Sequence, residues 1–215
     1  MKISLSEIAK KYNKVEVLKN VNLQLDNKKI NFLIGENGTG KSTLINLILG
    51  IVKPSKGKIF IDDVRIRHYN GVYKKNIGIL INYDTYPYHF KVKEYINLLY
   101  FLYGVKKDIE YENQLLEFFE LKGLLNHKII ELSDGYKQRV KIFASMLHRP
   151  KYYIYDEPFS FLDDEFINRF IQKIKDLFLN GSFFLISSHN IALIKKFEDI
   201  NLYEIKNLTI EKYEK

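Results

Sequence analysis

The chain has 215 residues, of which 46% are hydrophobic, and its formal net charge is +8 at pH 7. A chain of this length can bury a substantial core. The absence of cysteine excludes a disulfide framework, a thiolate nucleophile and a thiolate metal site. The 34 Lys and Arg residues are scattered along the sequence, which favours a solvated basic surface over a nucleic-acid site.

Neither a signal peptide nor a membrane span is expected. Residues 1–11 lack an apolar run and a small-residue cleavage site. The longest nearly uncharged apolar run, residues 95–105, is well short of the ~20 residues that a spanning helix needs.

The first predicted elements are strands that lead into a helix. Apolar residues largely alternate over residues 15–25, which predicts a half-buried antiparallel strand pair. Residues 30–34 predict a short buried strand. A glycine-rich turn then precedes a predicted helix over residues 41–49.

The middle of the chain changes from strands to helices. Residues 57–62 and 77–81 predict two further strands. Apolar residues then recur at helical spacing over residues 92–147, with turn signals at Gly104 and Gly123. We expect this segment to be an inserted helical lobe.

The last predicted elements are strand, helix and strand, over residues 152–155, 164–179 and 183–186. Strands that alternate with helices predict a parallel sheet covered on both faces, with ligands at the carboxyl ends of the strands.

The strongest motif fits the eight-residue P-loop pattern between a predicted strand and a predicted helix. Its residues are Gly35, Glu36, Asn37, Gly38, Thr39, Gly40, Lys41 and Ser42. Its glycines let backbone amides and the helix N-terminus surround a phosphate. We expect Lys41 to neutralise phosphate charge and Ser42 to offer its hydroxyl to Mg²⁺, with Thr43 behind it. A P-loop alone fits a GTPase, a kinase or a motor.

A pair of acids, Asp156 and Glu157, ends the predicted strand at residues 152–155. We expect this strand to lie beside the P-loop strand in a parallel sheet. Asp156 can then hold the Mg²⁺ shell, and Glu157 can polarise an attacking water.

Together these residues resemble the ABC ATPase family, in the family's order and over nearly the whole chain. Residues 132–139 resemble the family's signature motif, in which Ser133 and Gly135 face the γ-phosphate held by another subunit. Read alone, Ser133 would be an ordinary helix N-cap. Residues 159–163 resemble the family's D-loop.

Further positions carry the resemblance. His189 ends a strand as the family's switch histidine does, which implies a γ-phosphate contact. Tyr12 stands where the family stacks an aromatic ring on adenine. Asn82 replaces the glutamine that meets Mg²⁺ and the membrane partner, and we expect it at the nucleotide and metal site. Asp134 and Tyr136 also depart from the signature pattern.

The resemblance implies an α/β fold: a P-loop NTPase core with a mostly parallel sheet, N-terminal antiparallel β strands and an inserted α-helical lobe. We expect one domain over residues 1–215, with a RecA-like core at about 1–90 and 150–215 and the lobe at about 91–149.

The resemblance also implies an ATP- and Mg²⁺-dependent ATPase subunit of an ABC transporter. It would pair as a homo- or heterodimer and drive a transmembrane permease on a separate chain from the cytoplasmic face of the membrane. Residues 79–82 and 135–139 resemble exporters of drugs, peptides or bacteriocins. The alternative is a soluble ABC ATPase acting on nucleic acid or ribosomes; such proteins usually carry two ATPase units, coiled coils or zinc modules.

If the transporter interpretation is right, the surface around Asn82 and the lobe over residues 92–121 should expose apolar or aromatic side chains for the permease. The candidates are Tyr83, Tyr86, Tyr88 and Phe90. Such dense aromatics can equally belong to the core.

Overall fold

The computed structural model describes residues 1–67, 75–81 and 87–213. The strands are β1 (Lys2–Tyr12), β2 (Val15–Asp26), β3 (Ile30–Ile34), β4 (Lys56–Ile61), β5 (Val64–Arg65), β6 (Ile77–Leu80), β7 (Tyr152–Asp156), β8 (Phe183–Ser187), β9 (Ile200–Lys206) and β10 (Thr209–Tyr213). The helices are α1 (Lys41–Ile48), α2 (Val92–Tyr103), α3 (Ile109–Phe118), α4 (Asp134–Met146), α5 (Asp164–Leu179) and α6 (Ile191–Ile194).

The strands of the described residues form two sheets. The antiparallel sheet has the order β2-β1-β4-β5, and the second sheet has the order β10-β9-β3-β8-β7-β6. In the second sheet all pairs are parallel except β9 with β10. The predicted α/β fold class, with N-terminal antiparallel strands, a mostly parallel sheet and helices inserted between β6 and β7, is confirmed.

Two apolar clusters cover the two faces of the second sheet. On one face, the apolar side of α1 packs between this sheet and the antiparallel sheet. On the other face, side chains such as Phe32 and Phe184 pack against α2 to α6. β3, β7 and β8 are buried along their whole length, which explains why their sequences are mostly apolar.

The helical lobe packs closely against the sheet at Gly78. An ideal Cβ on Gly78 would lie 2.4 Å from the carbonyl oxygen of Ser145 in α4. Because a real Cβ cannot come this close, glycine allows α4 to contact the backbone of β6 directly. The predicted turn at Gly104 ends α2 with a positive φ of 63°.

Two expectations about strands were wrong. Residues 15–25 do not form a strand pair: they belong to the single strand β2, and its partner is β1, which was not predicted. The acid strand β7 is not adjacent to the P-loop strand β3, because β8 lies between them. Strands β5, β9 and β10 and helix α6 were not predicted either. The core and lobe boundaries stay a prediction.

Candidate functional site

The P-loop connects the carboxyl end of β3 to the first turn of α1. Gly35, Gly38 and Gly40 have φ values of 149°, 83° and 109°. An ideal Cβ on Gly35 would lie 2.8 Å from Oγ1 of Thr39. The Thr39 hydroxyl donates to the carbonyl of Glu36 at 2.9 Å. Glycine is therefore required where the loop turns back on itself.

Lys41 places its ammonium inside the curve of this loop. Its Nζ donates to the carbonyl oxygens of Gly35 at 2.7 Å and Glu36 at 3.0 Å. Because an ammonium has three hydrogens, Lys41 can donate the third to a phosphate oxygen. The first turn of α1 contains no acidic residue, so no carboxylate there offsets the positive helix N-terminus. The turn is therefore suited to bind an anion.

The P-loop, the acidic pair and Tyr12 line one cleft of about 390 Å³, which we call the P-loop cleft. Its lining residues are Tyr12, Val17, Asn37, Gly38, Gly40, Lys41, Ser42, Thr43, Asp156 and Glu157. Tyr12 is 42% exposed, and its ring offers a surface on which a base can stack. Gly35, Glu36 and Asn37 line an adjoining cavity together with His189.

Ser42 and Asp156 bring oxygen ligands to the P-loop cleft. Mg²⁺ prefers oxygen ligands and is commonly held by one or two carboxylates together with substrate phosphates. Within the described ranges, no group of three or more His, Cys, Asp and Glu side chains could hold a metal ion. The residues present therefore fit Mg²⁺ that arrives with a phosphate ligand, rather than a metal held by protein side chains alone.

The two acids are held in place by the last residue of β8 and by a histidine that follows this strand. Oε1 of Glu157 lies 2.9 Å from Nδ1 of His189. The hydroxyl of buried Ser187 donates to Oδ1 of Asp156 at 2.5 Å and accepts from the backbone N–H of Glu157 at 3.0 Å. Glu157 has a φ of 49°, a backbone region that costs energy for a residue with a Cβ and that recurs at functional sites.

Ser133 and Gly135 lie at the start of α4, and neither is among the described residues that line the P-loop cleft. Ser133 is the N-cap, and its Oγ accepts from the N–H of Tyr136 at 3.3 Å. An ideal Cβ on Gly135 would lie 2.9 Å from the carbonyl oxygen of Phe161. The start of α4 thus packs against the loop that follows β7.

Gln138 and Arg139 belong to the segment 132–139 that resembles the signature motif, but their contacts were not predicted from the sequence. Gln138 is buried and donates to the carbonyl of Pro158 at 3.0 Å. Arg139 forms ion pairs with Asp163, at 2.7 Å, and with Glu120. No local pattern marks these partners, because they lie about twenty residues away along the chain.

The comparison with protein families now decides the identity. The family model described as ABC transporter matches residues 18–160, more than half of the chain. This chain is an ATP-binding subunit of the ABC transporter family.

Relatives and solved structures agree with this assignment. The ABC subunit is 32% identical over 202 residues to the lipoprotein-releasing system ATP-binding protein LolD of Wigglesworthia glossinidia brevipalpis, covering 90% of this chain and 87% of that protein. It is 29% identical over 191 residues to the Nod factor export ATP-binding protein I of Rhizobium etli, covering 87% of this chain but only 60% of that protein.

The fold also matches a dimeric ATP-binding cassette in a post-hydrolysis state bound to ADP and Pi. The TM-score is 0.86 at 25% identity, and the match covers 99% of each chain. The family resemblance is therefore confirmed, and with it the assignment of this ABC subunit as an ATP-binding ATPase.

Some residues that were expected at the docking surface for the permease are not among the described residues. Asn82, Tyr83 and Tyr86 lie outside them. Tyr88 is half-buried and packs against the apolar cluster that contains Phe32 and Phe184, whereas Phe90 is 41% exposed. On the lobe, Phe101, Leu102 and Ile109 are exposed. Within the described ranges, no helix has the length and apolarity to cross a membrane.

Proposed function

We propose that this ABC ATPase closes and opens as a head-to-tail dimer around ATP, with a second copy or a related subunit. Each ATP lies between the P-loop cleft of one subunit and Ser133 and Gly135 of the other. The observation that carries the proposal is the meeting of Lys41, Asp156 and Glu157 on one cleft. The position of Ser133 and Gly135 outside the lining of that cleft suits contact with a different subunit.

Each side chain of the cleft has a defined task in this mechanism. Lys41 and the amides of the P-loop bind and orient the phosphates. Glu157 accepts a hydrogen bond from the attacking water, and His189 holds the Glu157 carboxylate and reaches the γ-phosphate. Tyr12 stacks on the adenine. Ser42 and Asp156, with Asn82 as expected from the sequence, would hold Mg²⁺ that arrives with ATP, and the ion would neutralise phosphate charge.

Glu157→Gln tests the hydrolysis step. The amide keeps the size of the side chain but is a poor base, so we expect ATP binding to persist while turnover falls by about a hundredfold or more. The variant should accumulate as a dimer in ATP, which size measurement by light scattering detects. Hydrolysis at the wild-type rate would refute the role of Glu157.

Lys41→Ala tests the phosphate site. Removal of the ammonium should weaken ATP binding by about tenfold or more, because a charge-assisted hydrogen bond is lost. Lys173→Ala, at a partly buried lysine of α5 that does not line the cleft, removes an ammonium elsewhere and serves as the control. Equal ATP affinity in both variants, measured by calorimetry, would contradict the P-loop assignment.

We also propose that the ABC subunit docks on a transmembrane permease encoded as a separate chain, which places it at the cytoplasmic face of the membrane. Exposed Phe90 and Phe101 support a docking surface on the lobe. Phe90→Asp and Phe101→Asp should reduce the fraction of the chain that sediments with host membranes. Val64→Asp, at an exposed apolar residue of β5, is the control. Sedimentation unchanged in both lobe variants would move the docking surface elsewhere.

Export of a drug, peptide or bacteriocin-like compound is the direction that we propose. The names of the relatives do not decide the direction of transport, because relatives at similar identity are named for export and for import. The proposal therefore rests on the likeness of residues 79–82 and 135–139 to exporters. ATP-driven accumulation of such compounds inside inverted membrane vesicles would support export. Accumulation only in right-side-out vesicles would reverse the direction.

A further inference from the structure

We infer that Asp134 and Lys137 form a charge pair that sets the affinity of the ATP-bound dimer: Asp134 weakens the dimer, and Lys137 limits this loss. The inference rests on the proposed function, because it requires the start of α4 to face the ATP held by another subunit.

The first turns of α1 and α4 differ in charge. Both would face phosphate in the proposed dimer. The first turn of α1 has no acidic residue, whereas the first turn of α4 begins with Asp134. A carboxylate at a helix N-terminus is favoured by the helix dipole in the isolated subunit. It occupies the same positive end that a phosphate would use, and it repels that phosphate.

The position of Asp134 makes this repulsion effective. Its side chain is 70% exposed, between Ser133 and Gly135, the two residues proposed to contact the γ-phosphate. When the dimer closes, the carboxylate loses water and faces a polyanion at short range. Charges interact more strongly once water is excluded from between them.

Lys137 offsets this charge from one turn further along α4. Its Nζ lies 3.2 Å from Oδ1 of Asp134, and its side chain is only 25% exposed. A partly exposed i,i+3 ion pair adds little to helix stability. Its effect on an approaching phosphate is larger, because it removes the net negative charge from the start of α4.

The test measures dimer affinity by sedimentation of the full chain with a non-hydrolysable ATP analogue at low salt. Asp134→Asn should tighten the dimer by about tenfold, since two symmetric sites each gain a few-fold. Lys137→Gln should weaken it by a similar factor. Because each charge acts on the phosphate separately, Lys137→Gln should weaken the dimer by about the same factor in the Asp134→Asn background, and high salt should reduce every difference.

Matched controls come from a second exposed ion pair on the lobe, Glu117 with Lys122, whose Nζ–Oε2 distance is 3.0 Å. Glu117→Gln and Lys122→Gln make the same charge changes away from the start of α4, and they should leave dimer affinity unchanged. If they shift it as much as the Asp134 and Lys137 variants, net charge rather than this pair explains the effect.

The outcomes separate the inference from the proposed function. If the analogue produces no dimer of either the wild-type chain or Asp134→Asn, the head-to-tail dimer of two copies of this chain is refuted, and the inference fails with it. If dimers form but Asp134→Asn does not tighten them, only the role of Asp134 is refuted. If dimers form and Lys137→Gln does not weaken them in either background, the role of Lys137 is refuted.

Discussion

Ser187 connects the two acids of the P-loop cleft through one hydroxyl. It donates to Asp156 and accepts from the N–H of Glu157. Strand pairing places Ser187 directly opposite Asp156. The backbone of Glu157, with its positive φ, is held by this bond. Ser187 is therefore a positioning residue for the water-activating carboxylate.

Ser187→Ala should lower kcat by about tenfold or more with a smaller change in KM. The reason is that Glu157 acts in the hydrolysis step, after ATP has bound, and its carboxylate would be displaced in this variant. It should also cost about 1–2 kcal/mol of unfolding free energy, as expected for a lost buried hydrogen bond. Ser145→Ala is the control: this buried hydroxyl bonds to Ile142 and Tyr155, away from the cleft. Equal kcat values in the two variants would show that Ser187 has no positioning role.

At the scale of elements, Arg139 joins three helices. It lies on α4 and pairs with Asp163, the N-cap of α5, and with Glu120, which follows α3. Its guanidinium lies 4.1 Å from the ring centroid of Phe166. The N–H of Phe166 holds the pKa of Asp163 below its usual value, and Arg139 adds to this effect. The start of α5 and helix α4 are thus fixed to each other.

Arg139→Met should lower the free energy of unfolding by about 1–2 kcal/mol, because the Arg139 side chain in its ion pair with Asp163 is only 9% exposed to water. Arg149→Met removes a comparable ion pair, to Asp108 at 2.7 Å, whose two side chains are both exposed. Its cost should stay below about 1 kcal/mol. Urea denaturation of both variants measures the difference. If Arg149→Met lost more unfolding free energy than Arg139→Met, Arg139 would not be the more stabilising of the two arginines.

The elements also show what the sequence could and could not reveal. The α5 helix has the predicted bounds, 164–179, because its apolar stripe is regular and Asp163 caps it. The β1 strand was missed because register shifts between Leu5 and Lys11 interrupt its alternation. The β9 strand was missed because its buried residues, Leu202, Tyr203 and Ile205, do not alternate strictly with exposed ones.

The candidate site follows the same division. The P-loop and the acidic pair are contiguous motifs whose chemistry can be read from a few adjacent residues. Ser187 and Arg139 act through partners that only the folded chain brings near, so their contribution required the structure. The adjacency of β3 and β7 was wrong for a related reason, since strand order is set by tertiary packing rather than by local sequence.

At the scale of the whole molecule, the lobe and the sheet share a buried imidazole. His148 follows α4, stacks on Tyr103 of α2 with ring centroids 3.8 Å apart, and places Nε2 3.2 Å from the carbonyl oxygen of Ile77 in β6. Burial lowers the pKa of His148 to about 4, although the bond to Ile77 acts in the opposite direction. The neutral imidazole is therefore part of the junction between the lobe and the sheet.

This junction predicts how stability depends on pH. In the unfolded chain a histidine has a pKa of about 6.5, so between pH 6.5 and pH 4 the unfolded state binds more protons than the folded state. Stability from His148 is thus complete above about pH 6.5 and is lost as the pH falls towards 4. Between pH 7 and pH 5 the loss should be about 1–2 kcal/mol.

Urea denaturation at pH 7 and pH 5 measures this loss, and His148→Gln should reduce it, because the amide can bond to Ile77 but does not titrate in this range. His127→Gln is the control, since His127 is exposed and its removal leaves the buried imidazole in place. The comparison between the two pH values matters more than stability at either, because His148→Gln also removes the ring that stacks on Tyr103. If wild type and His148→Gln lose the same free energy between pH 7 and pH 5, the acid sensitivity of the fold comes from other groups.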